Sequence, residues 1–236
     1  MPTDPWQYVT NGDYSTAIEA YTKLIADEPK SPWFANRGTA YLSLGQLDRA
    51  LEDFQSAFEG QHFPGDGYRQ KIATVQWVAG DHLAALSSWR SLVDDLSRGK
   101  IKYSDGSGGL QNGCFLWFAA VNTDSNQDVV AAIKSMRKLL IKPRAKNWPG
   151  PIAAFILDQI DESTVMSYVS DVDILHQREM CQVHFYAAMK AKCDNDEMKC
   201  SQLLKLAAQD RRAQIECEYH LAQYESRRSS RNRKGV

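Results

Sequence analysis

The chain has 236 residues, 43% hydrophobic and 24% charged, with a formal net charge of −1. That length allows one or two domains with a real core, and that charge gives no reason to expect a nucleic-acid or membrane partner. The longest apolar run, Cys114 to Val121, is far short of the ~20 residues that span a bilayer.

The N-terminal stretch "MPTDPWQYVTNGDY" has no basic segment followed by an apolar one, so no secretory signal is expected. Three segments then share one pattern. "NGDYSTAIEAYTKLI" begins at Asn11, "LGQLDRALEDFQSAF" at Leu44 and "AGDHLAALSSWRSLV" at Ala79. Gly12, Gly45 and Gly80 align, at offsets of 33 and 35. Small residues follow at Ala17, Ala50 and Ala85, aromatics at Tyr21, Phe54 and Trp89, and large apolar residues at Ile25, Phe58 and Val93. Self-similarity at this period signals an array of helical hairpins. The glycine ends one helix and lets the chain turn into the next, the alanine permits close approach, and the aromatic fills the gap between neighbours. Pro29 blocks continuation of the first repeat's second helix.

These segments resemble tetratricopeptide (TPR) repeats. The best match is Ser31 to Gln61, with Phe34, Gly38, Tyr41, Leu44, Gly45, Ala50, Phe54 and Ala57 in register. Asp66 to Ser97 departs from the pattern at Arg69 and Gln76, and the first repeat keeps only part of its leading helix. The resemblance covers residues 8 to 97 and implies an all-α, right-handed helical solenoid. A fourth copy is expected at residues 181–210, through His184, Ala188, Ala191, Cys200, Leu204 and Ala207. Asn195 there replaces the turn glycine; asparagine tolerates the left-handed conformation. Residues 211–226 read as a closing helix, and the basic tail 227–236, "RRSSRNRKGV", as disordered.

Between the repeat regions, residues 98–127 read as a polar, glycine-rich loop, with a short extended piece at 101–103, and then a buried helix, "GCFLWFAAVNT". Residues 128–141 form an amphipathic helix with Val129, Ala132, Ile133, Met136, Leu139 and Leu140 inward. "NWPGPIAAFILDQI" reads as a turn and a short apolar helix starting at Pro151, and "DESTVMSYV" as another short helix. Trp148-Pro149 ahead of a helix pair and a late repeat is similar to bacterial TPR adaptors of the lipoprotein-adaptor type. Those carry a signal and a lipid-attachment cysteine, which are not expected here.

No catalytic constellation emerges. Ser107 has Asp105 where a nucleophile elbow needs glycine, and no Gly-Lys-Ser/Thr follows the glycine-rich loop. Cys181/His184 and Cys217/His220 each put a thiol and an imidazole on one helix face. If the helices met they could hold zinc; packing of small cysteines between helices is the reading preferred here. The five cysteines, odd in number and irregularly spaced, read as free thiols in a reducing cytoplasm. No metal, no cofactor and no enzymatic activity are expected.

In TPR domains the first helices line a concave groove. Projection of the family's groove positions gives Ala35, Asn36, Thr39 and Leu42 in the second repeat, and Gly67, Gln70, Lys71, Thr74 and Trp77 in the third. Asn36, Thr39, Gln70, Lys71, Thr74 and Trp77 are the expected partner-binding residues. Asn36 and Lys71 suit a peptide carboxylate or amide. Trp77 is either an aromatic anchor for a guest or packed beneath the middle helices. The carboxylate clamp of chaperone-binding TPR proteins is incomplete, with Pro2, Trp6 and Gly67 at three of its positions. The expectation is a cytoplasmic, non-enzymatic adaptor for a protein or peptide. The alternatives are a bacterial immunity protein that neutralises a toxin and, less favoured, a metal-binding or hydrolytic protein.

Overall fold

Thirteen α-helices follow one another in the computed structural model, which describes residues 4–60, 67–103 and 107–232, with the backbone alone at 230–232. They are α1 (Pro5–Asn11), α2 (Tyr14–Asp27), α3 (Ser31–Ser43), α4 (Leu47–Glu59), α5 (Tyr68–Val78), α6 (His82–Ser97), α7 (Gln111–Asn122), α8 (Asn126–Leu140), α9 (Gly150–Ile156), α10 (Glu162–Met166), α11 (Asp173–Cys193), α12 (Glu197–Ala207) and α13 (Cys217–Asn232). Short 3-10 turns at Pro143–Lys146 and Arg211–Ala213 join α8 to α9 and α12 to α13. No strand occurs among the described residues, so Ile101 to Tyr103 is not part of a sheet.

One local device builds every hairpin. At each turn a single residue adopts positive φ: Gly12 (81°), Gly45 (73°), Gly80 (90°), Asp124 (53°), Asp158 (56°) and Asn195 (59°). The next residue's N–H then reaches back five positions to a helix carbonyl, as in Asp13 to Tyr8, Gln46 to Tyr41, Asp81 to Gln76, Ser125 to Ala120, Gln159 to Ala154 and Asp196 to Ala191. This is the Schellman arrangement, which satisfies a carbonyl left orphaned at the helix end. The three aligned glycines therefore lie between helices. Asn195 takes the left-handed conformation anticipated for it. Asp124 and Asp158 do the same in the middle of the chain, where no glycine marks the turn.

The second helices start on caps suited to the sharp turn. Asp13, Asp81 and Asp196 each accept a hydrogen bond from the backbone N–H three residues on. Such a cap is worth about 1 kcal/mol.

Packing redraws the expected boundaries. Helices α7 and α8 form one hairpin, so a division between residues 127 and 128 cuts a repeat unit. A division at 97/98 cuts a core: one buried cluster runs from Ala73 through Phe118, Ile152 and Phe185 to Ala222. Its centre is a chain of rings. Trp77 lies 4.8 Å from Phe118, centroid to centroid, Trp89 stacks 5.7 Å from Phe115, and Phe118 lies 5.0 Å from Phe185. Each such pair adds about 1 kcal/mol to the burial of its rings. The first two repeats keep smaller clusters, around Phe54 and around Tyr21.

The late repeat is longer than expected. Its first helix, α11, begins at Asp173 rather than near residue 181. Helix α9 begins at Gly150, one residue before Pro151. The closing helix continues to Asn232 instead of ending at Ser226, with Arg228 reaching Glu225 one turn back at 3.5 Å. Residues 233–236 of the expected tail lie outside the described residues.

Candidate functional site

The expected groove runs along the first helices of the second and third repeats, and at the third the chain's own C-terminal segment fills it. Helix α13 packs against α5, α11 and α12, and residues 217–222 are buried on every side. Its sequence reads as a polar surface helix, so its burial depends on hydrogen bonds from the surrounding helices.

Part of that hold comes from residues singled out in the sequence. Trp77 Nε1 donates to Glu225 Oε1 at 2.8 Å. Lys71 Nζ donates to the Ile215 carbonyl at 2.9 Å. Thr74 lies beside the Cys217 thiol and donates its own hydroxyl proton to the Gln70 carbonyl. Gln70 Nε2 donates to Asn112 Oδ1 on α7 at 2.7 Å. In the second repeat, Asn36 Nδ2 donates to the Tyr21 hydroxyl at 3.1 Å. Thr39, buried, donates to the Ala35 carbonyl. The six residues therefore do not line one open groove. Lys71, Thr74 and Trp77 hold a polypeptide that is the chain's own, Gln70 ties α5 to α7, and Asn36 and Thr39 serve their own and the preceding repeat. Trp77 is fully buried, which selects the packed alternative for that side chain.

Residues outside the projected set complete the hold. Glu218 Oε1 accepts from Gln111 Nε2 at 2.9 Å and from the Tyr186 hydroxyl at 3.1 Å. Gln214 Nε2 donates to the Val9 carbonyl, and its Oε1 accepts from Tyr14 and Ser43. The segment just before α13 thus clasps α1, α2 and α3 while α13 itself occupies the hollow beside α5. Burial pushes the Glu218 carboxyl up to about 7, with Glu216 adding to the effect. Burial pushes the His220 imidazole down to about 3. No local pattern marked this role: Glu218 and Glu225 are buried, yet glutamate is ordinarily left at the surface.

The Cys/His pairs take part in the same packing. Cys181 and Cys217 are buried, and His220 Nε2 lies 2.8 Å from the Gln214 carbonyl. Among the described residues no three His, Cys, Asp or Glu side chains gather in a metal-binding cluster, and none of the five cysteines forms a disulfide. Ser107 is buried, and residues 104–106 of the glycine-rich loop lie outside the described residues.

Hairpins of this length, joined by left-handed turns with small and aromatic residues at fixed offsets, are tetratricopeptide-type repeats. The chain is 48% identical over 83 residues to the small glutamine-rich tetratricopeptide repeat-containing protein 2 of Mycosarcoma maydis. It is 30% identical over 87 residues to the protein of the same name in Saccharomyces cerevisiae. These matches cover 35% and 36% of this chain, and the chain spans only 23% and 25% of those relatives. No family model matches. The solved C-terminal part of a TPR repeat-containing protein from Cytophaga hutchinsonii aligns over 87% of this chain and 93% of its own length, at 16% identity and a TM-score of 0.35. Over about a third of its length the chain is therefore similar to TPR proteins, and its helical hairpins form an all-α, TPR-like array closed by its own last helix.

Proposed function

We propose that the chain is a non-enzymatic adaptor that binds protein partners through its outward surfaces. Tetratricopeptide repeats are protein-interaction scaffolds, and the curated relatives share such repeats. Here the inner hollow of the third repeat is taken, so a partner uses another face.

One observation carries this reading. Met166, Tyr168, Val172, Ile174 and Leu175 are all exposed, Tyr168 by 54% and Val172 by 57%. Five large apolar side chains thus crowd into ten residues at the junction of α10 and α11. Isolated exposed apolar residues are ordinary, whereas a continuous stretch marks an interaction surface. Nothing in the molecule favours the toxin-neutralising reading over the adaptor.

The test is photo-crosslinking in cells from residue 172, exposed in the same run, in the otherwise unchanged chain and in Tyr168→Asp and Leu175→Asp chains of unchanged helical content. The adaptor reading expects defined protein adducts that both substitutions abolish. Identical adducts from all three chains would count against it, and one stoichiometric, very tight toxin partner would replace it with the inhibitor.

A further inference from the structure

A second surface has a different chemistry. From Lys134 to Lys146 the sequence "KSMRKLLIKPRAK" holds six cations and no acid, in a chain whose net charge is −1. All six, Lys134, Arg137, Lys138, Lys142, Arg144 and Lys146, are exposed. Among the described residues none of them pairs with a carboxylate, while Arg37, Arg69, Arg90, Arg178 and Arg212 all do. Lys134 and Lys138 stand one helical turn apart, where like charges disfavour the helix. Arg137 and Lys138 complement the dipole at the end of α8, but no ion pair among the described residues holds any of the six.

The charge borders a cleft. Helices α6 and α8, the second helices of successive hairpins, are clasped by Arg90, which donates from Nε and Nη2 to the two carboxylate oxygens of Asp128, each at 2.6 Å. Beyond that clasp lies a recess of about 410 Å³. Its floor includes Val93, Leu96 and Leu139, and Lys134, Lys138 and Lys142 stand along its α8 side. Among the described lining residues Asp94 is the one acid. Arg144 is set at the mouth by Gly108, where any Cβ would collide with its guanidinium.

We propose that this cleft is a docking site for an acidic peptide segment of a partner protein. The apolar floor takes aliphatic or aromatic side chains, and the lysines take carboxylates beside them. Charge complementarity selects the occupant: a neutral amphipathic segment would leave the cations unsatisfied, and a basic one would be repelled. The recessed floor suits a narrow segment whose side chains project into it, in contrast to a flat bilayer surface. The site is distinct from the α10–α11 strip, so an adaptor with both surfaces would hold two partners at once.

The probe is a short fluorescent peptide of alternating Glu and Leu, with a Gln-for-Glu version as its control, titrated by anisotropy against the full chain. The expected result is saturable binding that weakens with salt and is lost by about tenfold or more in the Gln peptide and in the Lys134→Glu/Lys138→Glu chain. Lys134→Arg/Lys138→Arg should bind as the parent does, which separates a charge effect from misfolding, and Tyr168→Asp should leave binding unchanged. The proposal fails if the Glu peptide does not bind, if both peptides bind equally, or if charge reversal in a folded chain has no effect. It also fails if phosphatidylserine vesicles bind the chain and the peptide does not.

Discussion

Trp77 and Glu225 are 148 positions apart in sequence and joined by a 2.8 Å hydrogen bond in the core. The indole comes from the third repeat and the carboxylate from the last helix, and both are buried. This bond fastens the segment that fills the hollow. Glu225→Ala would leave the indole N–H without its partner, at a cost of about 1–3 kcal/mol. Glu225→Gln keeps an acceptor at that position and should cost much less. Urea unfolding of the three chains would check this. Equal stability of the Ala and Gln variants would remove the bond from the account.

The turn device predicts a backbone effect free of packing. No heavy atom lies within 4 Å of the Cβ that an alanine would carry at Gly45, where φ is 73°. Gly45→Ala should therefore cost only the left-handed strain, about 1 kcal/mol, and lower Tm by about 2–4 °C. The converse change, Asn195→Gly or Asp124→Gly, should relieve part of that strain. Calorimetry on the three variants tests both signs.

Arg37 and Asp53 tie α3 to α4 through a bidentate ion pair. Arg37 Nε and Nη2 donate to the two carboxylate oxygens at 2.9 and 2.7 Å, and both side chains are largely buried. Arg37→Ala strands the carboxylate and should cost about 3 kcal/mol. Lysine cannot reproduce the planar fork, so Arg37→Lys should recover only part of it. Chemical denaturation with a double-mutant cycle through Asp53→Asn would isolate the pair.

Glu218 predicts a pH dependence. Its carboxyl titrates near 7 in the folded chain because burial disfavours its charge, against about 4.3 when unfolded. Between those values the folded chain holds a proton that the unfolded chain has lost. The group's contribution is therefore fully present at low pH and is lost as pH rises through about 7. His220, lowered to about 3 by burial, acts in the other sense: its contribution is present above about 6.5 and is lost as pH falls. Comparison of Glu218→Gln with the parent cancels the histidine. The variant should gain on the parent from pH 5 to pH 8 by on the order of 1–3 kcal/mol. A pH-independent difference would mean that Glu218 stays charged throughout.

The sequence by itself determined the hairpins of the first three repeats and of the last one. Their turn glycines, or Asn195, and their alanine and aromatic positions act over a few residues, so local pattern suffices. It marked Lys71, Thr74 and Trp77 as binding residues for a separate partner, whereas they contact the chain's own C-terminal segment. Only the tertiary structure decided which polypeptide. Glu218, His220 and Glu225 are residues that composition assigns to solvent, and their burial rests on partners such as Gln111, Tyr186 and Trp77 far along the chain. The breaks between helices near Asp124 and Asp158 were legible, but their left-handed conformation was not, because an aspartate does not announce a positive φ as a glycine does. The basic cleft needed two helices from different hairpins brought side by side. Periodicity carries information about neighbours in sequence, whereas the closure of a solenoid on itself depends on the sum of its small rotations, which no single repeat contains.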